Sequence, residues 1–283
     1  MPTYESNGVS LYYEKKGRGD PVVFCHGIPT DYRAWASQVA ALPERFTAIS
    51  YSRRYAAPNQ RQGDVSDSTV GNNAADLKGL LESLGLGPVH LVGHSYGGFI
   101  AAYLAADHPD LVRSLVLVEP AISTLLLEDA GSKSEMFSLL LRSPSVALAA
   151  RSFQSSSLGP SLKALDMGQY ERAVELNVDG IQGSPGAFSA MPEAAKAMFR
   201  DNARTIAELR TKFPPFKAHI GKISCRTLVV NGERSPLWLR RIGELAAASI
   251  PKATAVKVPR SGHFPHMENV AGFNEPVLGF LAK

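Results

Sequence analysis

Short apolar runs alternate with longer stretches of helical periodicity along most of the chain. The apolar runs predict β-strands near residues 8–14, 21–25, 45–50, 89–92, 114–118, 227–230 and 253–258. Helical periodicity falls near residues 32–42, 69–84, 99–107, 236–249 and 270–281. Alternation of this kind predicts an α/β domain, with a mostly parallel sheet that carries helices on both faces.

The alternation stops between residues 121 and 221, where the pattern is helical throughout. Its apolar anchors include Leu125-Leu126-Leu127, Met136-Phe137 and Met198-Phe199. A helical insertion of this length predicts a lid (residues 121–221) on a core domain formed by residues 1–120 and 222–283. Most of its methionines and phenylalanines should pack inside the lid, while some should line an enclosed, largely apolar pocket of small-molecule size.

One glycine-rich turn carries the clearest chemical signal. Gly93-His94-Ser95-Tyr96-Gly97-Gly98 joins a predicted strand to a predicted helix. That layout is typical of a nucleophile elbow, in which a sharp turn exposes a serine and leaves room only for small neighbours. A Gly/Ser turn without chemistry is the alternative, but the flanking elements favour Ser95 as a nucleophile.

A serine nucleophile needs a general base, and a histidine-containing loop follows the last predicted strand. Ser261-Gly262-His263-Phe264-Pro265-His266 leaves the carboxyl end of that strand, where active-site loops gather in open α/β sheets. His263 is the first choice as base. His266 is the second, although a supporting or helix-capping role fits it better.

Oxyanion donors are expected on a loop near the amino end of the chain. His26-Gly27-Ile28-Pro29 follows the predicted strand at 21–25, and its glycine would let the backbone approach a reacting carbonyl. The amides of Ile28 and Tyr96 could therefore form an oxyanion hole. His26 is expected to pack or bond locally, since a second base has no task.

These three motifs, in this order, resemble the α/β-hydrolase family, and the resemblance covers nearly the whole chain. It implies an eight-stranded sheet, a lid after the sixth strand and, usually, hydrolysis of an ester or related bond. Haloalkane dehalogenases and epoxide hydrolases share the fold but resemble one another in using an aspartate nucleophile. Ser95 argues against both activities.

The position of the acid departs from the common family pattern. Relatives commonly place it three positions past a glycine after the seventh strand, where this chain has Ser235. Some members carry the acid after the sixth strand, and Glu119 stands there in this sequence. The resemblance thus implies Glu119 as the acid that orients His263, with Glu233 as the alternative or merely a solvent-exposed loop charge.

Three residues are candidates for substrate contact. Arg53 and Arg54 replace a common family motif after the fourth strand, and their guanidinium groups could meet a substrate oxygen or carboxylate at the pocket mouth. A surface pair of basic residues is the other interpretation. Trp238, in the predicted helix 236–249, is the third candidate.

Composition limits the remaining function classes. The chain has 283 residues, 45% of them hydrophobic, and a formal net charge of +4 with dispersed basic residues, so no nucleic-acid partner is expected. The two cysteines, Cys25 and Cys225, suggest neither a disulfide framework nor a zinc site. No signal peptide or membrane span is evident, which predicts a cytoplasmic location. The sequence does not indicate an oligomeric state.

The sequence therefore predicts a hydrolase without metal or organic cofactor that cleaves an ester or lactone bond of a small to medium, largely apolar molecule. Two alternatives stay open. One is hydrolysis of a carbon–carbon bond in a ring-fission product. The other is a ligand-binding or signalling protein of the same fold with little turnover.

Overall fold

Eight strands form one sheet in the computed structural model, which describes residues 2–6, 8–59, 65–129 and 132–283. The strands are β1 (Thr3–Ser6), β2 (Val9–Gly17), β3 (Asp20–Cys25), β4 (Phe46–Tyr51), β5 (Val89–His94), β6 (Val112–Val118), β7 (Arg226–Gly232) and β8 (Ala253–Val258). Their order across the sheet is β1-β2-β4-β3-β5-β6-β7-β8. Only β2 runs antiparallel to its neighbours, so the predicted mostly parallel sheet is confirmed.

The middle of the sheet is buried on both faces. Every residue of β4 and β5 is buried, and β3 and β6 are buried over most of their length. Parallel strands that carry helices on both sides have this continuous apolar character, because neither face meets water. β1 was not predicted, since its four residues show no apolar run and gain their pairing only from β2.

Helices of the core domain connect and cover these strands. They are α1 (Ala36–Ala41), α2 (Val70–Ser83), α3 (Tyr96–Asp107), α9 (Leu237–Ser249), α10 (Pro265–Glu268) and α11 (Val270–Leu281). α3 is apolar all round and ten of its residues are buried, as expected of a helix held between the sheet and its neighbours.

The chain between β6 and β7 forms helices and no strand within its described residues. The helices are α4 (Lys133–Arg142), α5 (Pro144–Phe153), α6 (Gly159–Asp166), α7 (Tyr170–Gln182) and α8 (Glu193–Asp201). A turn of π-helix, Gln154–Leu158, joins α5 to α6, and a 3-10 segment, Ala203–Arg210, follows α8. We keep the name lid for residues 121–221. Across all described residues, no helix is both long enough and apolar enough to span a bilayer.

Candidate active site

Ser95 occupies a strained turn between β5 and α3. Its φ of 52° and ψ of −118° lie outside the regions that most side chains adopt. Three backbone hydrogen bonds hold it there: Ser95 N–H donates to the Val118 carbonyl at 2.9 Å, and the Ser95 carbonyl accepts from Ala121 N–H at 3.0 Å and from Phe99 N–H at 3.2 Å. The end of β6 thus fixes the elbow.

Close backbone approach explains the glycines around this turn. A Cβ on Gly97 would lie 2.4 Å from the carbonyl oxygens of Cys25 and His26. A Cβ on Gly27 would lie 2.9 Å from the Cβ of Ser95. The elbow and the loop after β3 therefore meet only because both positions lack a side chain.

The two amides predicted to bind an oxyanion lie on either side of this contact. Within the described part of the chain, neither Ile28 N–H nor Tyr96 N–H donates a hydrogen bond to another protein group. Free N–H groups next to a serine suit a developing negative charge. Tyr96 is also the first residue of α3, where the helix dipole favours an anion.

His26 holds the loop after β3 in place. Its Nδ1–H donates to the Gly27 carbonyl at 2.9 Å, and its Nε2 accepts from Arg53 N–H at 2.9 Å. Burial, together with the nearby charge of Arg53, lowers the pKa of His26 well below its usual value. A neutral imidazole with both nitrogens engaged has a structural task and no free lone pair for catalysis.

Glu119 and His263 meet at the carboxyl ends of β6 and β8. The Nδ1 of His263 lies 3.3 Å from Oε2 of Glu119, and both side chains are buried. The other carboxylate oxygen, Oε1, accepts from Gly232 N–H at 2.6 Å and from Asn231 Nδ2 at 3.0 Å. Glu119 itself has a φ of 47°, a left-handed turn that begins as the chain leaves β6.

This arrangement leaves Nε2 as the nitrogen of His263 that could take a proton from Ser95. Among the described residues no direct hydrogen bond joins Ser95 to His263, and catalytic hydrogen bonds commonly tighten only once substrate is bound. Glu233 is exposed and accepts from Arg260 N–H at 2.9 Å, so it is a loop charge. Ser235 is buried, and its hydroxyl contacts no partner in the described ranges.

His266 lies in α10 and packs against aromatic rings. Its ring stacks on Trp35 at 4.4 Å and lies 4.6 Å from the ring of His94. Neither ring nitrogen of His266 has a hydrogen-bond partner in the part of the chain described, and burial lowers its pKa to about 3. In the described residues, the His266 ring therefore makes no helix-capping hydrogen bond and none to Glu119.

The prediction that Arg53 and Arg54 line a pocket mouth does not fit the structure. The Arg53 side chain is fully buried and binds Glu208 at 2.7 Å, while Arg54 binds Asp76 at 2.7 Å and Asp67 at 3.1 Å. The surface-pair interpretation fails for the same reason. Buried guanidinium groups need carboxylate partners, and these lie 155 and 22 positions away in sequence.

A half-open cleft of about 850 Å³ lies between the lid and the loop after β7. Phe153 and Trp238 line it, with their rings 5.1 Å apart, and so do Arg172, Glu175 and Arg234. The lining of this cleft does not include Ser95, so the enclosed, largely apolar pocket beside the nucleophile stays a prediction. Trp238 thus borders a cleft large enough for a small molecule, and its contact with substrate stays a prediction.

Some site residues were missed by the sequence analysis. Asn231 and Gly232 donate hydrogen bonds to Glu119, and Gln182, the last residue of α7, accepts from His263 N–H at 2.7 Å. An Asn-Gly pair at the end of a predicted strand could have been noted. Nothing near Gln182 in sequence points to His263. In the described ranges, no cluster of three or more His, Cys, Asp or Glu side chains could hold a metal ion.

The chain belongs to the α/β-hydrolase fold family, whose sequence profile matches residues 20–270. It is 28% identical to a 2-(acetamidomethylene)succinate hydrolase of Mesorhizobium japonicum over 271 residues, 90% of this chain and 86% of that one. It is 33% identical to a soluble epoxide hydrolase of Corynebacterium over 113 residues. That match spans only 40% of this chain and 39% of the relative's length.

Solved structures share the fold along the whole chain. A thermophilic esterase from Thermogutta terrifontis superposes with a TM-score of 0.67 at 25% identity, covering 99% of this chain and 96% of that one. A hydrolase from Pseudomonas aeruginosa superposes with a TM-score of 0.73 at 22% identity, covering 100% and 98%. Family and neighbours together support a hydrolase.

Proposed function

We propose that the protein is a serine hydrolase that cleaves an ester or lactone bond of a small to medium substrate through an acyl-enzyme intermediate. The observation that carries this proposal is the contact of Glu119 Oε2 with His263 Nδ1 at 3.3 Å. This contact lies at the edge of the sheet formed by the carboxyl ends of the strands, where Ser95 follows β5. A carboxylate on Nδ1 fixes the tautomer that leaves Nε2 free as a base.

The reaction proceeds in two halves. Nε2 of His263 accepts the proton of Ser95 as Oγ bonds to the acyl carbon, and the amides of Ile28 and Tyr96 bind the oxyanion. His263 then gives that proton to the departing alcohol oxygen, which leaves an ester on Ser95. Water then attacks the ester as the same nitrogen takes its proton, the bond from the acyl carbon to Ser95 Oγ breaks, and His263 returns the proton to Oγ as the acid is released.

The named relatives support different parts of this proposal. The Thermogutta terrifontis neighbour is an esterase and covers nearly the whole chain. The epoxide hydrolase matches a shorter stretch, and the family resemblance assigns that class an aspartate nucleophile where this chain has Ser95. We therefore favour acyl transfer over epoxide opening.

Labelling of Ser95 tests the mechanism. A fluorophosphonate probe should add its mass to Ser95 alone, and Ser95→Ala should abolish both the labelling and the release of nitrophenol from short-chain esters. A parallel panel of lactones shows which of the two bonds is preferred. Labelling of another residue in the wild-type protein, or unchanged turnover in Ser95→Ala, would overturn the assignment.

A further inference from the structure

The loop that carries His263 is held by side chains. Three successive N–H groups on it find side-chain acceptors: Gly262 donates to Glu268 Oε2 at 2.8 Å, His263 to Gln182 Oε1 at 2.7 Å, and Phe264 to Glu268 Oε1 at 2.9 Å. On its other side, Nε2–H of His94 donates to the His263 carbonyl at 2.8 Å. The orientation of the His263 backbone therefore depends on these few groups.

Gln182 is the member of this set that comes from the lid. It ends α7, and the Gly183 that follows adopts the left-handed conformation of a helix cap, with φ of 65°. The Nε2 of Gln182 donates to Glu268 Oε1 at 2.8 Å, so the Gln182 amide bridges Glu268 and the His263 N–H. Both polar atoms of this lid side chain are thus hydrogen-bonded to the core domain, Oε1 to the His263 loop and Nε2 to Glu268 in α10.

The sequence of the loop is matched to this contact. A Cβ on Gly262 would lie 2.3 Å from Oε1 of Gln182, closer than any side chain allows. A glycine just before His263 is therefore needed for the lid amide to reach the His263 N–H. Gln182 also lines the cleft between the lid and the loop after β7.

We propose that Gln182 is a positioning residue. Its hydrogen bond from the lid to His263 N–H holds the backbone of His263 in the orientation that catalysis needs. The inference rests on the proposed function, in which His263 is the base. With the Gln182 hydrogen bond in place, Nδ1 of His263 stays on Glu119 and Nε2 is left to act as the base. When the Gln182 amide is removed, the His263 N–H loses its acceptor and the imidazole spends less time in that orientation.

Gln182→Met tests this, because methionine is close in length and shape but offers the His263 N–H no comparable acceptor. We expect kcat for a nitrophenyl ester to fall about 10- to 100-fold with KM little changed, since a small misplacement of a catalytic group acts on the chemical step. The matched control is Gln154→Met, an exposed glutamine elsewhere in the lid. It should leave kcat at the wild-type value.

Hydrogen exchange of the His263 amide gives a second measurement that needs no turnover. Gln182→Met should lose protection at this amide while the amides of β5 and β8 keep theirs. Wild-type kcat together with wild-type protection would overturn the inference. So would a general loss of protection across the sheet, because it would mark Gln182 as a stabilising residue only. If the wild-type protein neither turns over esters nor labels at Ser95, the proposed function fails, and His263 exchange alone then decides whether the lid holds this loop.

Discussion

Glu119 divides its carboxylate between two sets of partners. Oε1 accepts from the β7 end at Gly232 and Asn231, and Oε2 faces Nδ1 of His263. The first set contains only donors, so Oε1 must remain an acceptor. This asymmetry makes the effect of an amide substitution predictable.

Glu119→Gln should lower kcat by up to about 10⁴-fold, the loss seen when an amide replaces the acid of a serine triad. Its carbonyl oxygen will stay with the Gly232 and Asn231 donors, which turns the NH₂ group toward His263. Nδ1 must then accept, so Nε2 carries the proton and cannot take another from Ser95. Steady-state kinetics on a nitrophenyl ester measure the loss.

Glu233→Gln is the control for that experiment, because Glu233 is exposed and its carboxylate accepts from Arg260 N–H, a backbone group of the neighbouring loop. It should change kcat by less than a factor of about two, as expected of an exposed loop charge. A large loss in Glu233→Gln combined with a mild one in Glu119→Gln would move the acid to the loop after β7.

The buried, neutral ring of His266 should make the protein less stable in acid. Its folded pKa of about 3 is below the ordinary value of about 6.5, so the unfolded chain binds a proton that the folded chain does not. Stability is full above about pH 6.5 and falls as the pH drops toward 3. For this one group the loss between pH 7 and pH 5 is about 2 kcal/mol.

His266→Phe should remove the part of the stability loss between pH 7 and pH 5 that comes from His266. A phenyl ring can keep the stacking on Trp35 and has no nitrogens that need partners, so stability at pH 7 should be equal or higher. Urea unfolding at pH 7 and pH 5 measures the difference. An unchanged pH dependence would contradict a neutral buried His266, and loss of ester hydrolysis would point to His266 instead of His263 as the base.

At the scale of elements, the contact between the end of β7 and the His263 loop is the tightest near the site. A Cβ on Gly232 would lie 2.1 Å from the Gly262 carbonyl oxygen, which is backbone and cannot rotate away. Gly232→Ala should therefore lower the free energy of unfolding by about 1–3 kcal/mol, the usual cost of overpacking. Because the shift falls beside His263 and the Glu119 donor, kcat should fall as well.

Gly279→Ala is the matched control for Gly232→Ala. Gly279 lies in α11 with no atom within 4 Å of an added Cβ, so alanine should stabilise the helix by about 0.5–1 kcal/mol. Urea unfolding of both variants gives the comparison. Equal effects at the two positions would mean that the strand end and the loop can move apart without loss.

How much the sequence could predict varied from element to element. Ser95 and the positions of Glu119 and His263 follow short apolar runs, whose strand character is encoded locally, and parallel strands bring their ends to one edge of the sheet. Gln182 could not be found in this way, because its partner lies 81 positions along the chain on another element. β1 was missed since four residues carry too little pattern to predict.

At the scale of the whole molecule, the buried pair of Arg53 and Glu208 joins the core to the lid. Both side chains are fully buried, and Nε of Arg53 also donates to the His26 carbonyl at 3.1 Å. Arg53 lies under the ring of Tyr96, with Cζ 5.0 Å from the ring centroid. The pair therefore connects the lid to the loop that carries Ile28 and to Tyr96 at the start of α3, the two residues whose amides are predicted to bind an oxyanion.

Replacing one partner of this pair should lower the free energy of unfolding far more than replacing both. Arg53→Met or Glu208→Leu alone leaves the charge of the remaining partner buried without its ion pair. Each single variant should therefore lower the free energy of unfolding by about 3–5 kcal/mol. The double variant should lose much less than the sum, which urea unfolding of a double-mutant cycle can measure. Asp166→Asn, which breaks the exposed pair of Asp166 with Arg210 within the lid, should cost about 1 kcal/mol or less. Additive losses for Arg53 and Glu208 would show that the pair is not coupled.

The location of Glu119 directly after β6 has an evolutionary consequence for the loop after β7. In relatives with the acid on that loop, each change there risks the reaction itself, whereas here Arg234 and residues 236–238 border the cleft. In the described ranges, the hydrogen bond of the His263 ring goes to Glu119 and not to this loop. If the proposed function holds, variation at Arg234 or Trp238 should alter which molecules are accepted while Ser95, His263 and Glu119 stay unchanged. A library randomised on this short stretch should yield a high fraction of active clones with diverged preferences, so the protein is a favourable starting point for directed evolution.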